Sequence, residues 1–150
     1  MTAGPLAHIR VLDLTRVRAG PAATRLLAAW GADVVKVEMP AAAGDANDLG
    51  GPREGSDFQN LQRNRRSVTL DLKRPEGRET FLRLAARADV IVENFRPDVK
   101  RRLGIAYEDV AAVNAGIIYA SVSGFGQDGP YAARPGFDQV AQGMTGHMSI

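Results

Sequence analysis

Ile9-Arg-Val-Leu-Asp-Leu14 and Asp33-Val-Val-Lys-Val-Glu38 bracket the segment that decides the fold. Each is a short apolar-rich run that reads as a buried strand. Between them the loop Thr15-Arg-Val-Arg-Ala19 leads to Gly20-Pro21. Pro21 suits the first turn of a helix, where its missing N–H costs nothing. Ala22 to Trp30 is rich in strong helix formers, and Gly31 is a natural stop. Strand, loop, helix, glycine, strand is a βαβ unit, which predicts parallel strands and a right-handed crossover.

The rest of the chain repeats this alternation. Met39 to Asn60 is rich in Gly, Ala, Asp and Pro without periodicity and reads as a long loop, functional or mobile. Ser67 to Asp71 reads as a short strand, and Pro75 to Arg87 as a helix with Phe81, Leu82, Leu84 and Ala85 available to pack inward. Asp89 to Glu93 is a further buried strand. A short helical stretch ends near Gly104, a helix spans Tyr107 to Val113, and a strand spans Ile117 to Val122. Phe137 to Met144 opens another helix, with Asp138 at its N-terminus and Met144 and Met148 reading as core or interface. The predicted fold is α/β: a Rossmann-like parallel sheet flanked by helices. The ending, Gly143 to Ile150, has neither linker composition nor a closing strand. Residues 1–150 are therefore expected to be the incomplete N-terminal part of a larger domain.

Bulk properties narrow the function classes. The chain has 150 residues, 45% hydrophobic and 24% charged, as expected of one soluble domain. No apolar run reaches the roughly 18–20 residues of a membrane span, and the N-terminus lacks the pattern of a signal peptide. Cysteine is absent, which removes disulfides, thiol nucleophiles and thiolate metal sites. These features favour the cytoplasm and no membrane partner. A net charge of +2 is too small to argue for nucleic acid. Two basic clusters stand out: Arg63, Arg65 and Arg66, and Lys100, Arg101 and Arg102. Such clusters are usually solvated faces; the other reading is an anionic ligand. His8 and His147 lack ligand spacing with carboxylates, so no metal is expected.

In open α/β sheets ligands bind beyond the carboxyl ends of the strands, and three segments have that placement. Thr15 to Gly20 follows a strand and opens a helix, so its N–H groups can face an anion. It matches neither the P-loop nor the dinucleotide fingerprint, and it suits a plain tight turn equally. Asn94-Phe95-Arg96-Pro97 offers an aromatic ring and an amide for a flat heterocycle; the same residues also read as a core-capping Phe and a turn-closing Asn. Leu70-Asp71-Leu72-Lys73 exposes backbone for an adenine edge and a Lys for phosphate, or is a strand end with a solvated Lys.

Taken in order, several segments resemble the family III CoA-transferases, the CaiB/BaiF group. They are Pro5 to Leu14, Ala19-Gly-Pro21, Gly31 to Glu38, Asn64-Arg-Arg-Ser67, Leu70-Asp-Leu-Lys73, Ala88 to Pro97, Leu103-Gly104, Ile118 to Gly126, Gly129-Pro130 and Phe137 to Gly146. The resemblance implies a Rossmann-like large domain, a smaller domain further along the chain and an interlocked homodimer. It implies transfer of CoA between an acyl-CoA and a carboxylic acid, through an aspartate that forms a mixed anhydride and then a CoA thioester, with no metal or redox cofactor. By position, Val17 and Arg18 would contact CoA, Leu70, Leu72 and Lys73 would border the adenine, and Asn94, Phe95 and Arg96 would line the nucleotide site. Arg102 would lie near a phosphate, and Gly136 and Phe137 would approach the pantetheine arm. Met39 departs from the pattern, since some members carry a CoA-contacting arginine there; the cluster of Arg63, Arg65 and Arg66 offers compensation. None of Asp13, Asp71, Asp89 or Asp138 fits the context of the nucleophile, which is expected beyond Ile150.

Two rivals remain at this level. α-Methylacyl-CoA racemase resembles the chain but carries a His-Asp pair where this chain has Phe137-Asp138. Phe137 lacks the acid/base group that α-proton exchange requires. The other rival is a non-catalytic CoA-binding fragment. The resemblance predicts that the 150 residues alone are inactive, and that the full-length protein transfers CoA without racemising a 2-methylacyl-CoA. Loss of optical activity from such a thioester in a polarimetric assay would overturn that expectation.

Overall fold

The computed structural model describes residues 4–40 and 52–150. Residues 41–51, inside the predicted Met39–Asn60 loop, lie outside the described residues. The elements in order are β1 (Arg10–Asp13), α1 (Ala19–Ala29), β2 (Asp33–Glu38), α2 (Ser56–Gln62), β3 (Arg66–Thr69), α3 (Pro75–Ala85), β4 (Val90–Glu93), α4 (Pro97–Leu103), α5 (Tyr107–Ala111), β5 (Ile118–Ser121) and α6 (Asp138–Met144). A 3₁₀ turn at His147–Ser149 follows. No helix among the described residues is long and apolar enough to cross a membrane.

All strands pair in parallel, in the order β3-β2-β1-β4-β5. Leu12 is the register partner of Val35 on one side and Ile91 on the other, so β1 is central. The order reverses at β1, which makes the crevice beyond the carboxyl ends of β1 and β4 the switch point where such sheets bind ligands.

Side chains alternate across the two faces of each strand. Leu12, Leu14 and Ile91 join Phe81, Ala85, Ile105, Val110 and Ile117 in the larger core. Val11, Val34 and Val92 pack with Ala28 and Ala32 on the opposite face. The same alternation sends the last residues of the two central strands to opposite faces. Asp13 follows Val11 toward α1, and Glu93 follows Ile91 toward the larger core. Gly104, at φ 65°, ends α4 in the left-handed conformation glycine tolerates.

Two expectations need correction. Part of the predicted loop is the helix α2, whose Ser-Asp-Phe-Gln-Asn-Leu-Gln sequence is too polar and short to show a periodic stripe. Arg65 and Lys100 are not parts of solvated basic faces: the Arg65 side chain is 2% exposed and that of Lys100 is 9% exposed, each against a buried carboxylate. Met144 and Met148, read as core or interface, are exposed in this chain, which leaves the interface alternative. Helix α6 starts as predicted, with Phe137 before it and Asp138 first.

Phe81 is completely buried and fills the larger core. We predict that Phe81→Ala in the full-length protein lowers stability by about 3–5 kcal/mol, read from urea denaturation midpoints. A loss under about 1 kcal/mol would mean that this face is not closely packed.

Candidate functional site

The loop after β1 is fixed by a carboxylate that water does not reach. Asp13 is fully buried. Its Oδ1 accepts hydrogen bonds from the Thr15 N–H at 2.8 Å and the Thr15 hydroxyl at 2.5 Å. Its Oδ2 accepts from the Thr24 hydroxyl of α1 at 2.9 Å and from the Arg65 guanidinium. Arg65 also donates to the carbonyls of Pro21 and Leu61. Burial pulls the Arg65 pKa down from its ordinary value, while the charge and hydrogen bond of Asp13 oppose that shift. Lys36 of β2 donates to the Thr15 carbonyl at 2.7 Å. At Gly20 an added Cβ would lie 2.4 Å from Thr15 Cβ, so only glycine lets α1 begin this close to the loop. Between these anchors Val17 adopts φ 68°, an unusual value for a β-branched residue. No side chain caps α1, whose first N–H groups remain available to an anion.

The loop after β4 is built on the same plan. Glu93 is fully buried. Its carboxylate accepts from the Phe95 N–H and from the Lys100 ammonium, each at 2.7 Å. Lys100 donates also to the Ser121 hydroxyl at 2.8 Å and lies 5.5 Å from the Tyr119 ring centroid. Burial pushes the Tyr119 phenol far above its ordinary pKa, reinforced by Glu93, Asp109 and Glu108. Its hydroxyl donates to the Ile105 carbonyl at 2.7 Å. The adjacent Asn94 joins the two loops through hydrogen bonds with the Arg16 backbone.

An open groove of about 420 Å³ lies between the Leu72–Pro75 turn and the end of α4. Leu72, Lys73, Arg74, Arg78, Arg101, Arg102 and Asp109 contribute to its wall. Five cations thus face one carboxylate. Arg78 is engaged by Asp109 at 3.7 Å and by the Gly104 carbonyl at 3.0 Å, and Arg74 by Glu76 at 3.6 Å. The side chains of Lys73, Arg101 and Arg102 have no ion-pair partner among the described residues.

The sequence-predicted residues fall into groups. Leu72, Lys73 and Arg102 share the groove. Val17, Arg18 and Asn94 stand on the two loops of the switch point, with Arg18 paired to Asp57 at 2.5 Å. Leu70 and Phe95 are half-buried against the larger core, so part of each side chain serves packing. Arg96 is exposed and lies 3.5 Å from Asp98. Gly136 packs on Gly124, where an added Cβ on either would come within 2.4 Å of the other's Cα. Phe137 is 60% exposed. Arg65 is committed to Asp13 and Arg66 to Asp33, which removes both as compensation for Met39. Sequence reasoning missed the roles of Asp13, Glu93, Lys36 and Lys100. For Asp13, Lys36 and Glu93 the available signal was a charged residue inside an otherwise apolar strand; Lys100 lies in the helix α4 and carries no such signal.

A model of CoA-transferase family III matches residues 6–150. The chain belongs to that family. A succinate–glutarate CoA-transferase of Agrobacterium fabrum is 46% identical over 97% of this chain, and a formyl-CoA:oxalate CoA-transferase of Streptomyces coelicolor is 47% identical over 99%. A crystal structure of a CaiB/BaiF family protein from Brucella suis superposes with a TM-score of 0.89 at 41% identity, covering 99% of this chain and 41% of that one. The chain spans only 39% and 37% of the two curated relatives' lengths. In this family III chain the buried carboxylates define the frame of the site.

Removing one partner of a buried ion pair leaves the other charge without compensation. We predict that Asp13→Ala destabilises the full-length protein by about 3–5 kcal/mol in urea denaturation. A change below about 1 kcal/mol would show that Arg65 and Lys36 find water or other partners without cost.

Proposed function

We propose that the full-length protein transfers CoA from an acyl-CoA donor to a free carboxylic acid, and that this chain supplies the site for the nucleotide end of CoA. The observation that carries this reading, given the family, is the basic groove shared by Leu72, Lys73 and Arg102. The nucleotide of CoA joins a flat apolar-faced base to several phosphate oxygens. A Leu-lined wall beside cations that have no ion-pair partner among the described residues suits both parts, and guanidinium groups match phosphate geometry. Arg101 and Arg102 sit in the last turn of α4, beside the turn that carries Lys73. Val17, Arg18, Asn94, Phe95 and Arg96 extend the site over the switch point, and Gly136 and Phe137 lead on toward the pantetheine arm.

The chemistry is assigned to an aspartate beyond Ile150. Its carboxylate attacks the thioester carbonyl, releases CoA thiolate and becomes a mixed anhydride. The thiolate then attacks the aspartyl carbonyl, and the donor acid leaves. The acceptor carboxylate reverses both steps and departs as the new thioester. A carboxylate suits this role because anhydride and thioester both remain reactive acyl species. The names of the relatives suggest dicarboxylic partners such as succinate, glutarate or oxalate. The proposal includes a second, smaller domain, a homodimer, a cytoplasmic location and no metal or redox cofactor.

The test is chromatographic. Full-length protein is incubated with succinyl-CoA and glutarate, and separately with formyl-CoA and oxalate. The expected result is one-for-one conversion of donor thioester to acceptor thioester in at least one pair. In that pair Arg102→Ala raises the KM for acyl-CoA about tenfold, the effect of losing one charged hydrogen bond. Binding of CoA without transfer to either acid would contradict the transferase reading.

A further inference from the structure

We propose that Asn94 is a positioning residue: its side-chain amide clamps the Arg16 backbone across the switch point and so holds Val17 in the left-handed conformation that presents the β1–α1 loop to CoA. This rests on the CoA reading of the site. Asn94 Oδ1 accepts from the Arg16 N–H at 2.8 Å, and Asn94 Nδ2 donates to the Arg16 carbonyl at 2.8 Å. A primary amide offers a donor and an acceptor side by side in this way. It acts here as a substitute peptide group.

The geometry explains why a substitute is needed. β1 and β4 pair from Val11 and Val90 to Asp13 and Val92, and the Leu14 N–H to Val92 carbonyl bond of 2.9 Å continues the ladder. Beyond that point the backbones follow separate loops. Asn94 bridges them at Arg16, immediately before the strained residue.

Val17 has no local reason to keep φ 68°. It is β-branched, and at 38% exposure its side chain is not locked in the core. Such a conformation persists only when its surroundings over-determine it. The surroundings do so on both sides. Asp13 holds Thr15 and Asn94 holds Arg16 on one side, and on the other the Arg18 carbonyl accepts from the Ala22 N–H at 2.8 Å as α1 begins. Asn94 is the member of this set that belongs to the opposite loop of the crevice. It couples the shape of one loop to the place of the other.

A double-mutant cycle in the full-length protein tests the clamp. CoA affinity is measured by titration calorimetry for the unsubstituted protein, Asn94→Ala, Val17→Gly and the double variant. Asn94→Ala is expected to weaken CoA about tenfold, and Val17→Gly in that background to restore most of the loss, a coupling of similar size. Glycine takes positive φ without the steric cost of a side chain, so it recovers the loop shape without the clamp. Asn94→Asp keeps size and acceptor but cannot donate to the Arg16 carbonyl; it provides the same comparison if Asn94→Ala does not fold. The loss should be equal for CoA and dephospho-CoA, because the groove cations are untouched. Additive losses with no recovery by Val17→Gly, in a protein that binds CoA, would overturn the positioning role alone. Failure of the unsubstituted protein to bind CoA would overturn the site reading, and the positioning role with it.

Discussion

Asp13 places a negative charge where water cannot solvate it, at the end of the central strand. That charge must be met from within, and the groups that meet it come from four segments. Thr15 belongs to the following loop, Thr24 to α1, Arg65 to the segment after α2, and Lys36 of β2 lies 3.9 Å away. A buried ion pair is weak support for net stability, because apolar residues of similar volume often serve as well. Its consequence here is geometric. The loop, the helix start and the neighbouring strand are arranged to satisfy the two carboxylate oxygens of Asp13. The crevice at the switch point inherits that arrangement.

Glu93 repeats the device on the opposite face of the sheet. Lys100 answers it from α4, and the Phe95 N–H answers it from the loop between them. The two basic residues that follow Lys100 are thereby carried into the groove. The result separates two kinds of charge. Asp13, Arg65, Glu93 and Lys100 are buried and committed to one another. Lys73, Arg101 and Arg102 face solvent at the rim of an open groove. The first set holds the backbone still, and the second is available to a phosphate. A helix whose position is fixed by a buried Lys presents its arginines from a set backbone, so that binding has only their side chains left to order.

Much of the fold was legible because local rules agreed with the global answer. Apolar runs such as Val90-Ile-Val92 marked strands buried on both faces. Pro21, Pro75 and Pro97 marked helix starts, and Gly31 and Gly104 marked stops. Where these signals were missing, reading failed. α2 has Phe58 and Leu61 but no sustained apolar stripe, so its sequence reads as loop. The site was legible only in outline. Lys73 and Arg102 stand out as cations beside strand or helix ends, but so does Arg65, and nothing in Arg63 to Arg66 says which side chain turns inward. That choice depends on Asp13, which lies 52 positions away in the chain. Val17 was singled out by resemblance rather than conformation, because a positive φ at a β-branched residue has no sequence signal. It exists through its neighbours.

The most direct test is a crystal structure of the full-length protein with CoA bound. The adenosine phosphate should lie in the groove between the Leu72–Pro75 turn and the end of α4, with Arg102 within hydrogen-bonding distance of a phosphate oxygen and Val17 still at positive φ. CoA bound elsewhere, with this groove empty and its arginines paired to carboxylates from the rest of the protein, would contradict the account.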